Sequence, residues 1–587
     1  MNRSNCIVFS RFCKAFNRSW CHAGLSAALL FAMTILRAQA QAPGTGAISG
    51  QIYDASGAFV ANARVTVFNE ETNWSRSVTA TSEGLFRVAL LAPGNYSVLV
   101  DATGFRQKTL RSIHVIISET AVVNVRLDVG SAASVKVQVN DSSELAQTES
   151  AALGRVTDGK TVVALPLSNR NFSQILALSA GVIADVPNAA NLGSNTQNVS
   201  ANGAKTTANN FQFNGVDANN ISENSFSGEL FAPETGIAIP NPDSIGEFKV
   251  QTGLYDAGYG RSAGANVDFV SKAGTNHFHG TLWEFFRNDA LNANDFFLKQ
   301  NGQPRPVLKQ NQFGGALGGP IGKNKTFFFL SYQATIQRDG DATGSLISTF
   351  LPPLSSDRSA AALGRLFGGQ SGVNGGVAVA PDGSNINPVA LALLNFKLPN
   401  GNFAIPRPQR ILPNGVGEST FSSPAKYRED QFTVNLDHQF SAKNQLSGRF
   451  FYSRQPTTVP FNSFAATVPG FGGQQTERND MFVLSDTHVF TPNLINVARF
   501  GFIRFDGSEA SIDPITGPDV GMQTPAALPG IPGIQVTGLF TLGPPFQLSY
   551  FENTISPCGI PHSPQSALPF GPRPRPRENP LAVVPRS

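Results

Sequence analysis

Apolar and polar residues alternate strictly in several segments of the second half of the chain. Between residues 431 and 440, Phe432, Val434 and Leu436 alternate with polar residues. This two-residue period is typical of a strand with one face towards lipid and one towards water, and roughly 9 to 11 residues let a tilted strand cross a bilayer. Similar segments lie at residues 280–287, 326–332, 445–454, 480–490 and 496–505. We therefore predict that residues 273–555 form the wall of a membrane β-barrel.

Residues 337–428 interrupt this pattern. They are rich in Gly and Pro and contain few strand signals, so we predict a long extracellular loop within the barrel region. Phe440, Phe490 and Trp283 are candidates for the aromatic girdles at the lipid interfaces. Ordinary packing explains any one of these three rings equally well.

The first part of the chain shows short strands separated by turns. In residues 47–130, Ala63, Val65 and Val67 share one face of a strand, and Gly and Pro punctuate the chain at intervals of roughly 8 to 12 residues. This spacing predicts a small β-sandwich.

Residues 131–272 have a different composition, rich in Asn, Ser, Ala and Gly. Within them, Phe172, Ile175, Leu176 and Ser179 have the spacing of one helix face, and Gly181 follows as a stop signal. We predict an amphipathic helix here, within a mixed α+β region.

Residues 1–40 have the features of an export signal. Basic residues precede the apolar stretch from Ala23 to Leu36, and Ala38-Gln39-Ala40 fits the cleavage rule for small residues. The alternative is a short membrane anchor, but 14 residues of helix are too short for a ~30 Å hydrocarbon core. Of the four cysteines only Cys558 lies beyond this segment, so we expect no internal disulfide in the exported chain.

Charge and composition remove several functional classes. Charged residues make up 14% of the chain and the net charge is +4, which gives no basic face for nucleic acid. The seven histidines form no His-Glu-x-x-His pattern, and no nucleophile-base pair emerges. His277 and His279 alternate on one predicted strand but lack a third ligand nearby, so a structural role is favoured. We expect no catalytic residues, no cofactor and no metal, and hence no enzyme.

Residues 47–130 resemble the carboxypeptidase regulatory-like domain, a transthyretin-like or starch-binding-like sandwich. The motifs that carry the resemblance are Gly50-x-Ile52, Ala63-x-Val65-x-Val67, Gly84-x-Phe86 and Leu91-x-Pro93-Gly94-x-Tyr96. The resemblance implies a spacer or a weak carbohydrate-binding module. The zinc ligands of the carboxypeptidases have no counterpart here.

Residues 131–272 resemble the plug of TonB-dependent outer-membrane receptors, especially the Oar-type branch. Four segments in order carry this resemblance: 165–172, 213–217, 245–250 and 259–264. It implies a mainly β chain with an N-terminal sandwich, an α+β plug and a partial antiparallel transmembrane barrel. The plug-motif residues are Asn169, Arg170, Phe172, Asn214, Gly215, Asp217, Gly260, Arg261 and Gly264.

The same resemblance implies energy-coupled uptake of a bulky nutrient, a siderophore, oligosaccharide or peptide, across the outer membrane of a Gram-negative-type bacterium. The implied partners are the TonB complex, outer-membrane lipid and an extracellular ligand of unspecified identity, with no nucleic acid. An extended segment near the N-terminus would pair with TonB by strand addition. Val135, Val137 and Val139 form the candidate segment. An ordinary strand of the sandwich or plug is the alternative.

The length of the barrel region departs from the family. Large transporters of this kind close with about 22 strands, whereas residues 273–555 supply about 11 at roughly 25 residues per strand and loop. Residues 556–587 contain nine prolines and are expected to be disordered. We therefore expect a truncated copy. The alternative function is a cell-envelope protein that binds carbohydrate or mediates adhesion without transport.

Overall fold

The computed structural model describes most of the chain from residue 44 to residue 566. The described parts are residues 44–130, 135–138, 152–184 without 168, 199–219, 240–294 and 304–543 with short internal gaps, 550–560, 565–566 and four isolated residues. The predicted export signal lies outside the described residues. No helix in these parts has the length and apolarity needed to cross a membrane.

The N-terminal region is a sandwich of two sheets. One sheet has the order β4-β1-β7, with β8 also paired to β1, and the other has the order β3-β2-β5-β6-β9. Alternate residues such as Ile48, Val65 and Val98 are fully buried between the sheets. The strands are β1 (Gly46–Asp54), β2 (Arg64–Asn69), β3 (Ser75–Thr79), β4 (Leu85–Leu91), β5 (Gly94–Asp101), β6 (Lys108–Val115), β7 (Thr120–Val122), β8 (Val125–Leu127) and β9 (Val135–Gln138).

The second region, named here the inner domain (residues 152–272), is built on a five-stranded mixed sheet. Its order is β10-β15-β16-β13-β14, and a two-stranded sheet of β11 and β12 lies beside it. The elements are β10 (Leu153–Asp158), α1 (Gly159–Ala164), a 3₁₀ helix (Phe172–Leu178), β11 (Val182–Ala184), β12 (Val199–Ala201), β13 (Asn210–Phe213), β14 (Val216–Asp217), β15 (Ile245–Gly253) and β16 (Asn266–Ser271).

The helix predicted near residue 172 is present but differs in type. Phe172, Ile175 and Leu176 are buried as predicted, and Ser179 caps the end. The segment forms a 3₁₀ helix rather than an α-helix. Seven residues provide few α-helical hydrogen bonds, so burial of the apolar side chains determines the local geometry.

The third region, named here the wall, is a nine-stranded antiparallel sheet with the order β17-β18-β19-β23-β24-β25-β26-β29, in which β30 also pairs with β26. Its first and last strands are not paired with each other among the described residues, so the sheet is open. The strands are β17 (His279–Asn288), β18 (Leu308–Gly322), β19 (Thr326–Asp339), β23 (Ala425–Ser441), β24 (Asn444–Val459), β25 (Gly473–Thr491), β26 (Leu494–Ser511), β29 (Tyr550–Ile560) and β30 (Gln565–Ser566).

The two faces of the wall follow the alternation seen in the sequence. Phe432, Val434 and Leu436 are 42%, 43% and 46% exposed on the outer face, whereas the intervening Thr433 and Asn435 are buried on the inner face. The prediction of one lipid-facing side and one polar side is confirmed for this strand. The polar side faces the inner domain rather than open water.

The predicted loop at residues 337–428 is wrong in two respects. Strands β19 and β23 extend into it from both sides, and the part between them is folded. Together with residues 460–472 and 512–543 it forms the head, which has its own apolar core that includes Leu351, Leu363 and Phe471. Gly and Pro interrupt the periodicity there, but the three loops bury their apolar residues against one another. The head contains β20 (Leu346–Leu351), α2 (Ala360–Phe367), α3 (Pro388–Asn395), β21 (Arg410–Ile411), β22 (Gly417–Ser422), β27 (Ile534–Gln535) and β28 (Thr541–Leu542).

The wall strands also differ from prediction in number and ends. The described wall has eight strands of ten or more residues and one of two, instead of about 11, because the folded head takes up much of the chain. Strand β29 runs through Pro557 to Ile560, within the segment expected to be disordered. Within the described part of the chain its only strand partner is β26, and a proline is tolerated at such an edge. The rest of the Pro-rich segment, apart from β30, lies outside the described residues.

Strand β18 was missed because five of its 15 residues are glycine. A Cβ atom at Gly314 would lie 2.1 Å from the carbonyl oxygen of Tyr332 and 2.7 Å from the Trp283 ring. The close approach of this ring requires glycine. Trp283 therefore packs across the wall sheet on its inner side, and its predicted place in an aromatic girdle is wrong. Phe440 and Phe490 remain more than half exposed near the short turns.

Candidate functional site: the inner domain and its interfaces

The segment 169–172 joins the inner domain to the wall. Asn169, Arg170 and Phe172 are all buried. The Phe172 ring lies 5.6 Å from Phe248 and 5.5 Å from Phe269, between the 3₁₀ helix and the sheet. Phe172 therefore lies at the centre of the inner domain, whereas Asn169 accepts a hydrogen bond from Gln312 of the wall through its carbonyl oxygen.

Arg170 makes polar contacts in both directions. Its Nε donates to Oε1 of Gln333 on β19 at 2.9 Å, and its Nη2 forms an ion pair with Asp243. The guanidinium also stacks on the wall rings of Trp283 and Phe285, 5.2 and 4.5 Å from their centroids. Its backbone has φ of +55°, a left-handed conformation that is uncommon for a residue with a side chain. This strained backbone conformation directs the Arg170 guanidinium towards the wall.

Further polar contacts connect the inner domain to other wall strands. Asn435 on β23 donates to the carbonyl oxygen of Lys272 at 2.7 Å, and Asn241 donates to Ser331 on β19 at 3.2 Å. On β26, Arg499 donates to the carbonyl oxygen of Gly215 at 3.0 Å. The inner domain is thus held against the wall by separate hydrogen bonds to three strands, together with a shared apolar core.

Asn214 and Gly215 form the turn between β13 and β14. Their φ angles are +51° and +77°, as a two-residue hairpin turn requires, which explains Asn-Gly at this point. Asp217 follows in β14 and pairs with Gln212 through the backbone. This part of the motif shapes the edge that contacts β26.

The remaining plug-motif residues lie apart from this group. Gly260 is exposed, and a Cβ atom there would meet no neighbour. At Gly264 a Cβ atom would lie 2.5 Å from Oδ1 of Asn209, so glycine allows a close backbone approach. Arg261 lies outside the described residues.

The candidate TonB-contact segment forms the edge strand of the sandwich. Val135 and Val137 belong to β9, which pairs in parallel with β6. Val139 lies outside the described residues. The strand uses only one of its two backbone edges in this pairing.

The loop between β6 and β7, named here the docking loop (residues 116–119), inserts polar groups into the inner domain. The backbone N–H of Ile117 donates to Oε1 of Glu247 at 2.7 Å. Lys249, two residues further along β15, donates to the carbonyl oxygen of Ser118 at 2.9 Å and lies 3.2 Å from Oε1 of Glu119. Ser118 has φ of +53°, so the loop is held in a strained conformation at this contact.

Asp268 completes this interface on the neighbouring strand β16, directly opposite Lys249. Its Oδ2 accepts a hydrogen bond from the backbone N–H of Gly44 at 2.9 Å and lies 3.4 Å from the hydroxyls of both Ser118 and Tyr259. Residues before and within the sandwich therefore meet one buried carboxylate of the inner domain.

Burial controls the protonation of these groups. Loss of solvent raises the pKa of the Glu247 carboxyl to about 8, with further contributions from Asp268 and Glu119, although the Ile117 N–H opposes the shift. Burial also raises the pKa of Asp268 and lowers that of Lys249, and Glu119 partly offsets the change at Lys249. The interface thus holds three ionisable side chains whose charges depend on their staying packed.

Sequence reasoning missed Glu247, Lys249 and Asp268. The available signal was a charged residue at positions where a fully buried strand is otherwise apolar, as in Ile245-Gly246-Glu247-Phe248-Lys249-Val250 and Asn266-Val267-Asp268-Phe269. Such residues require partners, and the sandwich provides them.

The described residues contain no group of three or more His, Cys, Asp or Glu side chains able to hold a metal ion. His277 and His279 are both exposed, and Nδ1 of His279 lies 3.0 Å from the carbonyl oxygen of His277. Their geometry agrees with a local structural role at the start of β17.

The sandwich and the head lie at opposite ends of the wall. Short turns join β18 to β19, β23 to β24 and β25 to β26 at one end. The sandwich contacts this end: Asn73 donates to Asn324 at 2.9 Å, and Leu90 packs with Val489 and Ile495. In outer-membrane barrels the short turns are periplasmic and the long loops extracellular. The sandwich thus lies at the end of the short turns and the head at the end of the long loops.

Comparison with known proteins places these regions in families. Residues 270–556 match the outer membrane beta barrel domain family, and residues 47–128 match the carboxypeptidase regulatory-like domain family. The TonB-dependent transporter Oar of Myxococcus xanthus is 24% identical over 308 residues, which are 50% of this chain and 27% of that protein. This chain thus spans about a quarter of the length of that curated relative.

Two solved structures align with parts of this chain at low sequence identity. The alignment with the outer membrane transporter YddB from Escherichia coli includes 61% of this chain and 39% of YddB, at 11% identity and a TM-score of 0.40. The alignment with a mutant of the ferric enterobactin receptor PfeA from Pseudomonas aeruginosa includes 67% of this chain and 44% of the receptor, at 12% identity and a TM-score of 0.38.

The family matches confirm the resemblances drawn from the sequence motifs, the mainly β fold class and the outer-membrane location. The prediction that the chain is not an enzyme is confirmed, because it matches a membrane barrel family and its homologue is a transporter. Residues 270–556 are therefore an outer membrane beta barrel domain and residues 47–128 a carboxypeptidase regulatory-like domain, in a chain that is homologous to the TonB-dependent transporter Oar.

Proposed function

We propose that this protein serves energy-coupled uptake of a bulky nutrient, a siderophore, oligosaccharide or peptide, with the inner domain as the plug. The observation that carries the proposal is the position of the inner domain against the polar face of the wall, held by Arg170, Asn435 and Arg499 through individual hydrogen bonds. A plug must close the lumen and still be able to move. Separate hydrogen bonds to one rigid sheet suit both requirements, because each can be replaced by water.

The docking loop supplies a mechanical connection from the periplasm to this plug. Force applied near β9 would reach the docking loop through the sandwich, since β6 pairs with β9 and leads directly into that loop. The force would then pass into strands β15 and β16 through the contacts of Glu247, Lys249 and Asp268. We propose the TonB complex as the source of the force and the segment with Val135, Val137 and Val139 as its contact by strand addition.

The extracellular head is the proposed site of first contact with the nutrient. Its three loops are joined by hydrogen bonds, among them Thr349 to Thr467 at 2.9 Å and the Thr467 N–H to the carbonyl oxygen of Thr541, also at 2.9 Å. A preorganised head binds with less entropy loss than three free loops. This property supports ligand capture but does not favour one nutrient class.

An uptake assay tests the proposal. Cells that express the full chain and a deletion strain are offered labelled ferric siderophores, oligosaccharides and peptides, with and without an uncoupler of the proton gradient. We expect one class to accumulate at least tenfold above the deletion strain, and the uncoupler to abolish the excess. No excess for any class, or an excess that the uncoupler leaves intact, would reject energy-coupled uptake.

The proposed TonB contact is tested separately. Val137→Pro removes a backbone N–H from β9, so we expect co-isolation with the TonB protein to fall about tenfold or more. Ser143→Pro, in the same connecting region, is the matched control. Equal co-isolation of the Val137→Pro variant and the original chain would place the contact elsewhere.

A further inference from the structure

The sandwich contacts the wall at two of the short turns. At the turn between β18 and β19, Nδ2 of Asn73 donates to Oδ1 of Asn324 at 2.9 Å, and both side chains are exposed. Next to the turn between β25 and β26, Leu90 packs with Val489 and Ile495. These turns lie four strand spacings apart in the wall, which corresponds to about 19 Å. The sandwich therefore extends across this end of the wall.

Leu90 has a conformation that places its side chain against the wall. Its φ is +57°, which is uncommon for a residue with a side chain. Nη1 of the buried Arg76 donates to the carbonyl oxygen of Ala89 at 2.6 Å and so fixes the backbone just before Leu90. Along β25, Val489 is separated by an even number of residues from the buried Met481, so it lies on the inner face of the wall. Leu90 therefore contacts the inner rim of the wall rather than its outer surface.

The contact between the sandwich and the inner domain is of a different kind. Lys249, which is 1% exposed, donates to the carbonyl oxygen of Ser118 at 2.9 Å and lies 3.2 Å from Oε1 of Glu119. The Ile117 N–H donates to Glu247, which is also buried. Hydrogen bonds that involve charged groups away from water are stronger than those between neutral amides in contact with water. The sandwich is thus attached more firmly to the inner domain than to the wall.

The contacts with the wall have the properties of an interface that can open. Water replaces an exposed amide–amide hydrogen bond, such as that between Asn73 and Asn324, at little cost. The apolar cluster at Leu90 is small, with Val489 and Ile495 as its other buried members. When the sandwich moves, the wall contacts should therefore separate first, while the contacts with the inner domain persist.

We propose that the sandwich is a latch: it fixes the inner domain while Asn73 and Leu90 contact the wall, and it leaves the wall together with the inner domain when the nutrient passes. The latch rests on the proposed function, since uptake is what requires the inner domain to move. Force on β9 acts first on the sandwich, so it would open the wall contacts before it loads Glu247 and Lys249. Both wall contacts belong to one folded domain, so loss of one should loosen the other.

Thiol labelling of the purified full chain in detergent micelles compares the two interfaces without any nutrient. Val489→Cys reports on the wall contact and Ser118→Cys on the contact with the inner domain, each in a chain with Cys558→Ser. The probe is N-ethylmaleimide, and peptide mass spectrometry measures labelling at each site. We expect the Val489→Cys site to be labelled at least about tenfold faster than the Ser118→Cys site. Equal rates, or faster labelling of the Ser118→Cys site, would overturn the proposal.

A substitution at the distant turn shows whether the two wall contacts open together. Asn73→Gly removes the hydrogen bond to Asn324 and suits the backbone, because Asn73 has φ of +59°. Loss of one hydrogen bond should raise the labelling rate at Val489→Cys about fivefold and leave that at Ser118→Cys unchanged. Asn62→Gly, at an exposed sandwich position with φ of +57°, is the matched control and should change neither rate. An unchanged rate at Val489→Cys after Asn73→Gly would refute a common latch, as would the same increase after Asn62→Gly.

Cross-linking tests whether uptake requires the latch to open. The pair Asn73→Cys/Asn324→Cys is joined in cells by a short bifunctional methanethiosulfonate, and a reductant reverses the cross-link. Thr66→Cys/Ser77→Cys is the matched control, because these exposed hydroxyl groups lie 2.8 Å apart within the sandwich. Uptake is measured with the same labelled siderophores, oligosaccharides and peptides. We expect the first cross-link to lower uptake at least about tenfold until the reductant is added, and the second to have little effect.

The possible outcomes separate the latch from the proposed function. Full uptake while residue 73 is joined to residue 324, or an equal loss in the control pair, would overturn the latch and leave energy-coupled uptake intact. No uptake by the original chain would instead reject the proposed function, and the latch would then stand or fall on the thiol labelling alone.

Discussion

Arg170 shows how much a single side chain connects in this protein. It is buried, pairs with Asp243 within the inner domain and contacts Gln333 on the wall. A buried ion pair adds little net stability compared with an apolar pair, but removal of one partner leaves an uncompensated charge. The sequence motif had included this residue. Its partners became visible only in the folded chain, because Asp243 and Gln333 lie 73 and 163 residues away.

Substitution of Arg170 by Ala should destabilise the inner domain by about 3 to 5 kcal/mol, because Asp243 keeps its charge in a buried place. Native-state hydrogen exchange of residues 245–253 measures the loss as a change in the free energy of local opening. Arg410→Ala is the matched control, since Arg410 forms an ion pair with Glu418 on the exposed surface of the head. That variant should lose less than about 1 kcal/mol. Equal effects of the two substitutions would contradict a special role for Arg170.

Phe172 fills the centre of the inner domain and is fully buried. Phe172→Ala should cost about 3 to 5 kcal/mol in the same exchange measurement, because the space between Phe248 and Phe269 cannot close completely. Phe172→Leu keeps most of the volume and should cost clearly less. If both variants open as rarely as the original chain, the 3₁₀ helix is not part of the inner core.

At the scale of elements, strands β15 and β16 form the interface of the inner domain with the sandwich, named here the joint. Glu247, Lys249 and Asp268 face the docking loop, and each has a partner from the sandwich or from the residues before it. The family resemblance identified the segment 245–250 but assigned it no partner. Charged residues within an otherwise apolar strand signal a buried contact, yet the sequence does not say which region supplies it.

The pKa of Glu247 gives the joint a pH dependence of definite sign. The carboxyl has a pKa of about 8 when folded against a reference value of 4.5, so the folded state holds a proton that the unfolded state has lost. The contribution of Glu247 to stability is therefore greatest below about pH 4.5, falls as the pH rises towards 8 and changes little beyond it. Asp268, whose pKa is also raised, acts in the same direction above its reference value of 3.8.

Glu247→Gln should remove much of this dependence, because the amide resembles the protonated acid at every pH. The measurement is the thermal midpoint of the sandwich in the full chain at pH 5.5 and pH 8.5. The original chain should have the lower midpoint at pH 8.5, and the variant should show a smaller difference. Glu83→Gln, at an exposed position of the sandwich, is the control and should behave like the original chain. A Glu247→Gln variant with the full pH difference would locate its origin in other groups.

At the scale of the whole molecule, the wall separates two folded bodies, the sandwich at the short turns and the head at the long loops. The head has an independent core, so it should unfold without the wall. Leu363→Asp places a charge in that core, at a residue 1% exposed, and should open the head by several kcal/mol. Ala361→Asp, at an exposed position of the same helix, is the matched control.

Protease treatment of intact cells compares how far the head opens in the two variants. Cleavage within residues 345–424 should increase in the Leu363→Asp variant alone, while heat-modifiable migration of the wall stays unchanged in both variants. Loss of heat-modifiable migration in the Leu363→Asp variant would show that head and wall fold as one unit.

The sequence by itself determined the elements whose signal is local. Two-residue alternation identified most wall strands and the spacing of small strands identified the sandwich, because each pattern depends on neighbouring residues. The tertiary structure alone decided what lies between distant residues. Strand β18 exists because Gly314 admits the Trp283 ring, the head exists because three loops bury one another, and Glu247 is tolerated because the docking loop reaches it. These contacts join residues far apart in the chain, and their free energy depends on burial that no local pattern records.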